Sequence, residues 1–184
     1  ELMQVEPQLR GNDLGIIRIL APSYLLNNPL SLGMNGNEHT GVRALFLHAL
    51  PNPSVEVDLL GDLVNQRLLK AAQQGQIHIG NDLPQMMLWI LHQVVFQISL
   101  SDKEITASNT YIKSLPLASL PNFISKYLLS FRTAPSIKHR QSLIKKYKQS
   151  PRWASYLEIA AQYQLNEHQI ANSLFDMIHI AGTA

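Results

Sequence analysis

Apolar residues recur at helical spacing along most of this 184-residue chain. Between Val57 and Gln74, leucine and valine side chains fall three or four positions apart, which places them on one broad face of a helix. No run of alternating apolar and polar residues is long enough to indicate a sheet, and the sequence has no internal repeat. We therefore predict an all-α, multi-helix fold with at least seven helices and little or no strand.

Turn formers and capping signals set the bounds of the predicted helices. Asn166 followed by Gln169 has the spacing of a capping box, and Asn81 to Pro84 is a typical helix start. The helix from Leu83 to Ser99 is apolar on almost every side, which indicates a buried helix. The other predicted helices are Thr40 to Pro51, Val57 to Gln74, Ser101 to Leu115, Asn122 to Tyr147 with a break near Ala134 and Pro135, Trp153 to Tyr163, and Asn166 to Ala184.

The composition excludes several classes of protein. The sequence has no cysteine, so disulfides and thiolate zinc sites are excluded within these residues. No uncharged apolar run reaches about eighteen residues, so no transmembrane segment is predicted. The chain opens on Glu1 without a signal-peptide pattern and ends at Ala184 in the apolar part of a predicted helix. We therefore expect residues 1–184 to be part of a single domain that continues beyond both ends.

Positive charge is concentrated in one stretch, although the net charge is only +2. No acidic residue occurs from Ile105 to Leu157, while nine of the fifteen cations fall there. Such a block suits an anionic membrane surface or a carboxylate ligand, or it is simply a solvated helix face. Nucleic acid is not predicted as a partner, because aromatic interleaving and a recognition motif are missing. The nine cations are Lys113, Lys126, Arg132, Lys138, Arg140, Lys145, Lys146, Lys148 and Arg152.

The stretch NEHTGVRALF holds a candidate anion site. His39 and Arg43 are four residues apart, so both project from one face of a helix. An imidazole beside a guanidinium fork is suited to binding a carboxylate. The alternative is a surface ion pair between Glu38 and Arg43.

Two further features lie in the last predicted helix. Asp176 and His179 are three residues apart and could share a metal ion, although a pair on the helix surface is the simpler interpretation. Ala181 and Gly182 leave room for a flat ligand against the helix, or for close helix packing. The sequence has no glycine-rich phosphate loop, no His-Glu-x-x-His and no Gly-x-Ser-x-Gly.

Three stretches, LGMNGNEHTGVRALF, VVFQISLSDKE and LNEHQIANSLFDMIHIAGTA, occur in an order that resembles the cytochrome P-450 haem-thiolate family. The first is similar to the helix that touches the haem propionates. The second is similar to the helix before the substrate lid, and the third to the central helix that crosses the haem. The resemblance covers nearly the whole chain and implies that it is a middle portion of such an enzyme, without the cysteine ligand.

The resemblance assigns haem contacts to two helices. It implies that His39 and Arg43 bind the haem propionates, while Ala181 and Gly182 lie over the distal face of the porphyrin and Thr183 follows them. Haem (iron protoporphyrin IX) is the cofactor implied. No residue of this stretch is assigned as a certain catalytic group or as a metal ligand.

The resemblance also assigns a substrate pocket. Met177 and Ile180 would line its substrate side, one turn before the small residues of the central helix. A loop upstream of the propionate-binding helix would form part of the pocket wall. The wall residues are Leu30, Leu32 and Met34.

The chain departs from the family at Ala184, where monooxygenases usually have an acid that delivers protons to bound oxygen. This difference favours enzymes that rearrange hydroperoxides or use peroxide, although monooxygenation with a redox partner stays open.

The cations near the implied lid, residues 102–148, suit an amphiphile with an acidic head group. A cytoplasmic or membrane-peripheral location is expected. The alternative function is a cofactor-free helical interaction module that docks through residues 113–152.

Overall fold

The computed structural model describes residues 36–50, 57–73, 75, 79–114 and 130–181, and a few side chains within these ranges are left out. This part of the chain consists of seven helices and contains no strand, so the predicted all-α class is confirmed. None of the described helices combines the length and hydropathy that a membrane crossing requires. The helices are α1 (Gly36–Ala49), α2 (Val57–Gln73), α3 (Ile79–Phe96), α4 (Asp102–Ser114), α5 (Ser130–Tyr147), α6 (Trp153–Gln162) and α7 (Glu167–Ala181).

The predicted helix caps are formed by local hydrogen bonds. At the start of α7, the Asn166 N–H donates to the Gln169 side chain at 2.9 Å, and the Gln169 N–H donates to Asn166 Oδ1 at 3.0 Å. Ser101 and Glu104 form the same reciprocal pair at the start of α4. Gly75 ends α2 with a φ of +79°, a left-handed conformation that favours glycine.

Three helix predictions were wrong in detail. The first described helix begins at Gly36 rather than Thr40, and the Thr40 hydroxyl donates to the Gly36 carbonyl one turn earlier. The fifth helix is continuous through Pro135. Pro135 lacks the N–H that an interior helix position donates, and the helix persists in spite of this lost hydrogen bond.

Helix α3 also differs from the prediction. It begins at Ile79, so Pro84 lies inside the helix and does not open it. It was expected to be buried on every side, but Leu83 is 47% exposed and Met87 is 38% exposed. Its second half is the buried half, where Leu88, Val95 and Phe96 enter the core. The first half borders a cleft, and its apolar character therefore did not indicate burial.

Helix α7 lies at the centre of the described fold. It contacts α1, α3, α4, α5 and α6, and every residue from Ile170 to Asp176 is buried. Tyr147 stacks on Phe96 with ring centroids 3.9 Å apart, next to Phe175 of α7. The aromatic core thus joins α3, α5 and α7, and it positions the polar groups described below.

The ends of α1 and α3 are held together by Arg152, the residue before α6. The Arg152 guanidinium donates to the carbonyls of His48 and Ala49 at the end of α1, and to those of Val94 and Val95 at the end of α3. These are helix C-terminal carbonyls, which lack partners within their own helices. One side chain therefore satisfies acceptors at the ends of two helices.

Candidate functional site

A buried ion pair joins α5 to α7. Arg140 Nη1 lies 3.1 Å from Asp176 Oδ1, and the two side chains are 3% and 8% exposed. Arg140 also donates to the Tyr111 hydroxyl at 2.9 Å and to Asn172 Oδ1 at 2.8 Å. Its guanidinium lies 4.7 Å from the ring centroid of Phe175. Burial raises the pKa of Asp176 to about 7, although the guanidinium acts in the opposite direction.

The simpler interpretation of Asp176 and His179, a pair on the helix surface, was wrong. Both side chains are buried, and the Asp176 carboxylate pairs with Arg140 inside the core. Within the described residues, no group of three side chains is arranged to hold a metal ion. The position of Asp176 among the apolar residues Ile170, Leu174 and Ile178 of one helix could have indicated burial, and a buried carboxylate needs a cation.

Two histidines meet edge to face beside the ion pair. The rings of His92 and His179 have centroids 5.6 Å apart. Each uses Nδ1 to donate to the carbonyl four residues earlier, Leu88 at 2.6 Å and Phe175 at 2.8 Å. Burial lowers the pKa of His92 to about 4 and that of His179 well below its usual value. Both rings are therefore neutral near pH 7, with Nε2 as an acceptor.

The remaining ring nitrogens have hydroxyl partners. His92 Nε2 accepts from the Tyr147 hydroxyl at 2.7 Å. Ser108 Oγ lies 3.3 Å from His179 Nε2 and 2.9 Å from His139 Nε2. Since His179 Nε2 can only accept, Ser108 donates to it and accepts from His139. The cluster is thus hydrogen-bonded throughout, and its effect is to fix α7 against α3, α4 and α5.

His39 and Arg43 lie on the exposed surface of α1. The expected alternative, an ion pair of Arg43 with Glu38, is not formed among the described residues. Instead the Glu38 carboxylate accepts a hydrogen bond of 2.8 Å from Gln169 Nε2. The two basic side chains remain one turn apart on one helix face, a geometry suited to a carboxylate.

One side of α7 is less covered than the rest. Between Ile170 and His179, Met177 alone is not fully buried. Ser173, one turn earlier, has a buried hydroxyl without a hydrogen-bond partner in the described part of the chain. The backbone of α7 is described to Ala181, but the predicted pocket and distal positions otherwise lie outside the described residues or side chains. These are Leu30, Leu32, Met34, Ile180, the Ala181 side chain, Gly182 and Thr183.

The basic block is not one solvated face. Arg140 is buried, and Arg152 donates to four backbone carbonyls. Lys146 pairs with Glu104 at 3.0 Å, and Lys148 pairs with Glu167 at 2.6 Å. Of the other block cations with described side chains, all are exposed: Lys113, Lys138 and Lys145.

No family model, curated protein or solved structure matches this chain.

Proposed function

We propose that the chain is the middle portion of a haem-thiolate enzyme of the cytochrome P-450 type that acts on an apolar substrate. The observation that supports this most is the placement of α7. It is buried among five other helices, and its least covered side carries Met177, which the resemblance assigns to the substrate side.

The described residues fit the propionate end of a haem. His39 and Arg43 are exposed and one turn apart on α1, and Glu38 accepts a hydrogen bond from Gln169 and forms no ion pair with Arg43. The unpartnered Ser173 hydroxyl lies on the same side of α7 as Met177. In this proposal, Arg43 donates to a propionate carboxylate, and Met177 excludes water from the substrate side.

Bound haem supplies the oxidation or peroxide chemistry, and the chain positions it. The ion pair of Arg140 with Asp176 and the His179 hydrogen bonds fix the rotation of α7, so that Asp176 and His179 lie in the core and Met177 lies on the less covered side. The thiolate ligand that the proposal requires is not among these 184 residues, since they contain no cysteine. The test therefore uses the whole gene product.

The proposal is tested by the absorbance of the reduced protein with carbon monoxide. A difference maximum at the position typical of thiolate-bound haem is expected, and a colourless protein would reject the proposal. Arg43→Ala should then release haem to apomyoglobin faster, because a charge-assisted hydrogen bond contributes about 1.5–3 kcal/mol. Lys103→Ala, which removes an exposed cation from α4, should leave haem transfer unchanged.

The type of reaction is part of the same proposal. With Ala184 at the position of the usual acid, we favour conversion of a fatty-acid hydroperoxide over oxygen-dependent hydroxylation. The first reaction needs no redox partner, whereas monooxygenation does. Turnover of a hydroperoxide without reductase is the expected result, and turnover that depends on reductase and oxygen would favour monooxygenation.

The alternative proposal is a cofactor-free interaction module that docks through residues 113–152. Its support is limited to exposed lysines such as Lys113, Lys138 and Lys145, because Arg140 and Arg152 are used inside the fold. A colourless protein whose partner binding weakens when these three lysines are replaced by glutamine would favour it.

A further inference from the structure

A cleft of about 420 Å³ opens between α2, α3 and the start of α4. Ligand pockets in proteins span roughly 300–1,000 Å³ and are mostly apolar with a few polar groups. This cleft has both properties, and it uses none of the residues assigned to the haem or its substrate. Its apolar lining is Leu68, Ala71, Leu83, Met86 and Ile105.

Two cations converge on one carboxylate at the cleft. Arg67 and Lys70, one turn apart on α2, donate to the two oxygens of Asp102 at 2.5 and 2.7 Å. Arg67 is further held over the Trp89 ring, 5.6 Å from its centroid. The hydrogen bonds from Lys70 and Arg67 lower the pKa of Asp102, so this carboxylate is ionised. Arg67 and Lys70 therefore already bind one carboxylate, that of Asp102 in the same chain.

We propose that the cleft binds an amphiphile with a carboxylate head and an apolar tail, such as a medium-chain fatty acid. Its head binds Arg67 and Lys70 in competition with Asp102, and its tail lies along Leu68, Met86 and Ile105 in the cleft. Asp102 is 59% exposed, so its ion pairs are weak and an external carboxylate can replace it.

The charges of the lining favour an anionic head over a cationic one. Asp102 forms ion pairs with two cations. Asp82, the other carboxylate of the lining, also interacts with another group of the protein. The two cations lie together on one helix and face one point. Arginine has five N–H donors and lysine has three, so both keep donors beyond their bonds to Asp102.

The experiment is calorimetric titration with decanoate, decan-1-ol and decyltrimethylammonium. Decanoate should bind with the highest affinity, and the Arg67→Gln/Lys70→Gln variant should weaken it about tenfold while leaving decan-1-ol unchanged. Lys113→Gln makes the same change of charge at an exposed site on α4 outside the cleft, and it should have no effect. If the double variant does not fold, Lys70→Gln alone serves, because its side chain is 56% exposed.

Two further variants separate this site from non-specific binding of a detergent-like molecule. Asp102→Asn removes the competing carboxylate and should tighten decanoate binding, whereas a structural role for the ion pair alone would not. Ala71→Phe should abolish binding by filling the cleft. Any one of four results would overturn the proposal. These are equal affinity for decanoate and decan-1-ol, preference for the ammonium compound, absence of decanoate binding, and unchanged decanoate binding by the Ala71→Phe variant. The titration needs no haem, so it is independent of the proposed enzyme function.

Discussion

Helices α2 and α7 both carry a broad apolar face in the sequence, yet they lie in opposite environments. No described side chain of α2 is fully buried, and Leu69 is 62% exposed. In α7, every residue from Ile170 to Asp176 is buried, including an asparagine, a serine and an aspartate. Helix α2 keeps leucines in contact with solvent, while α7 takes a charge into the core.

The difference follows from the neighbours that each helix meets. Helix α7 contacts five other helices, and one of them brings Arg140 to Asp176. A buried charge persists only with a partner of this kind. Among the described residues, α2 packs mainly against α3 and leaves the cleft open. We therefore expect the protein to be sensitive to substitutions in and around α7 and to tolerate substitutions in α2.

The largest expected effect comes from Arg140→Met. It leaves the Asp176 carboxylate buried without its cation, which should lower the free energy of unfolding by about 3–5 kcal/mol. The measurement is urea unfolding followed by circular dichroism. The double variant Arg140→Met/Asp176→Leu should recover much of the loss, because it buries no charge. A double variant as unstable as the single one would show that packing, and not the charge, explains the effect.

The next effect compares two glycines. A Cβ at Gly41 of α1 would lie 2.6 Å from the Tyr163 Cβ, so Gly41→Ala should destabilise the protein by about 1–3 kcal/mol. Gly61 of α2 has nothing within 4 Å of such a Cβ. Gly61→Ala should therefore stabilise the helix by about 0.5–1 kcal/mol. Equal effects of the two changes in thermal unfolding would contradict the proposed contrast.

The third effect is acid sensitivity. The pKa values of His92, His179 and His139 are lowered by burial, so the unfolded chain takes up more protons as the pH falls below about 6.5 and the native state loses stability. Asp176, whose pKa is raised to about 7, contributes the opposite slope, and His48, whose pKa burial also lowers, adds to the slope of the other three histidines.

His92→Gln tests this by removing one titrating group. Its free energy of unfolding should fall less steeply between pH 6.5 and pH 4, by about 1.4 kcal/mol per pH unit. His168→Gln changes an exposed histidine and should leave the slope unchanged. The slope from urea unfolding at several pH values is the readout, and an unaltered slope in His92→Gln would argue against the neutral buried ring.

The smallest effect belongs to the α2 ion pairs. Asp102→Asn should lower the free energy of unfolding by no more than about 1 kcal/mol, because exposed pairs contribute little. The loss should shrink further at high salt. A loss as large as that of Arg140→Met would mean that α2 is as constrained as α7.

Local features of the fold were predictable from the sequence, and distant ones were not. The capping box of Asn166 and Gln169 was predicted correctly because its partners are three residues apart. Arg140, the partner of Asp176, lies on another helix. The sequence around Arg140 contains no acidic residue, which suggested a solvated helix face instead. The exposure of Leu83 was missed because composition does not reveal which apolar helices lack a neighbour.

The hydrogen bonds of Arg152 bear on the order in which the chain folds during synthesis. Its acceptors, His48 and Ala49 at the end of α1 and Val94 and Val95 at the end of α3, precede it by between 57 and 104 residues. Because synthesis proceeds from the N-terminus, both helix ends leave the ribosome long before Arg152 does. Chains stalled shortly after α3 should therefore be cut by protease at these ends, whereas chains extended beyond α6 should be protected.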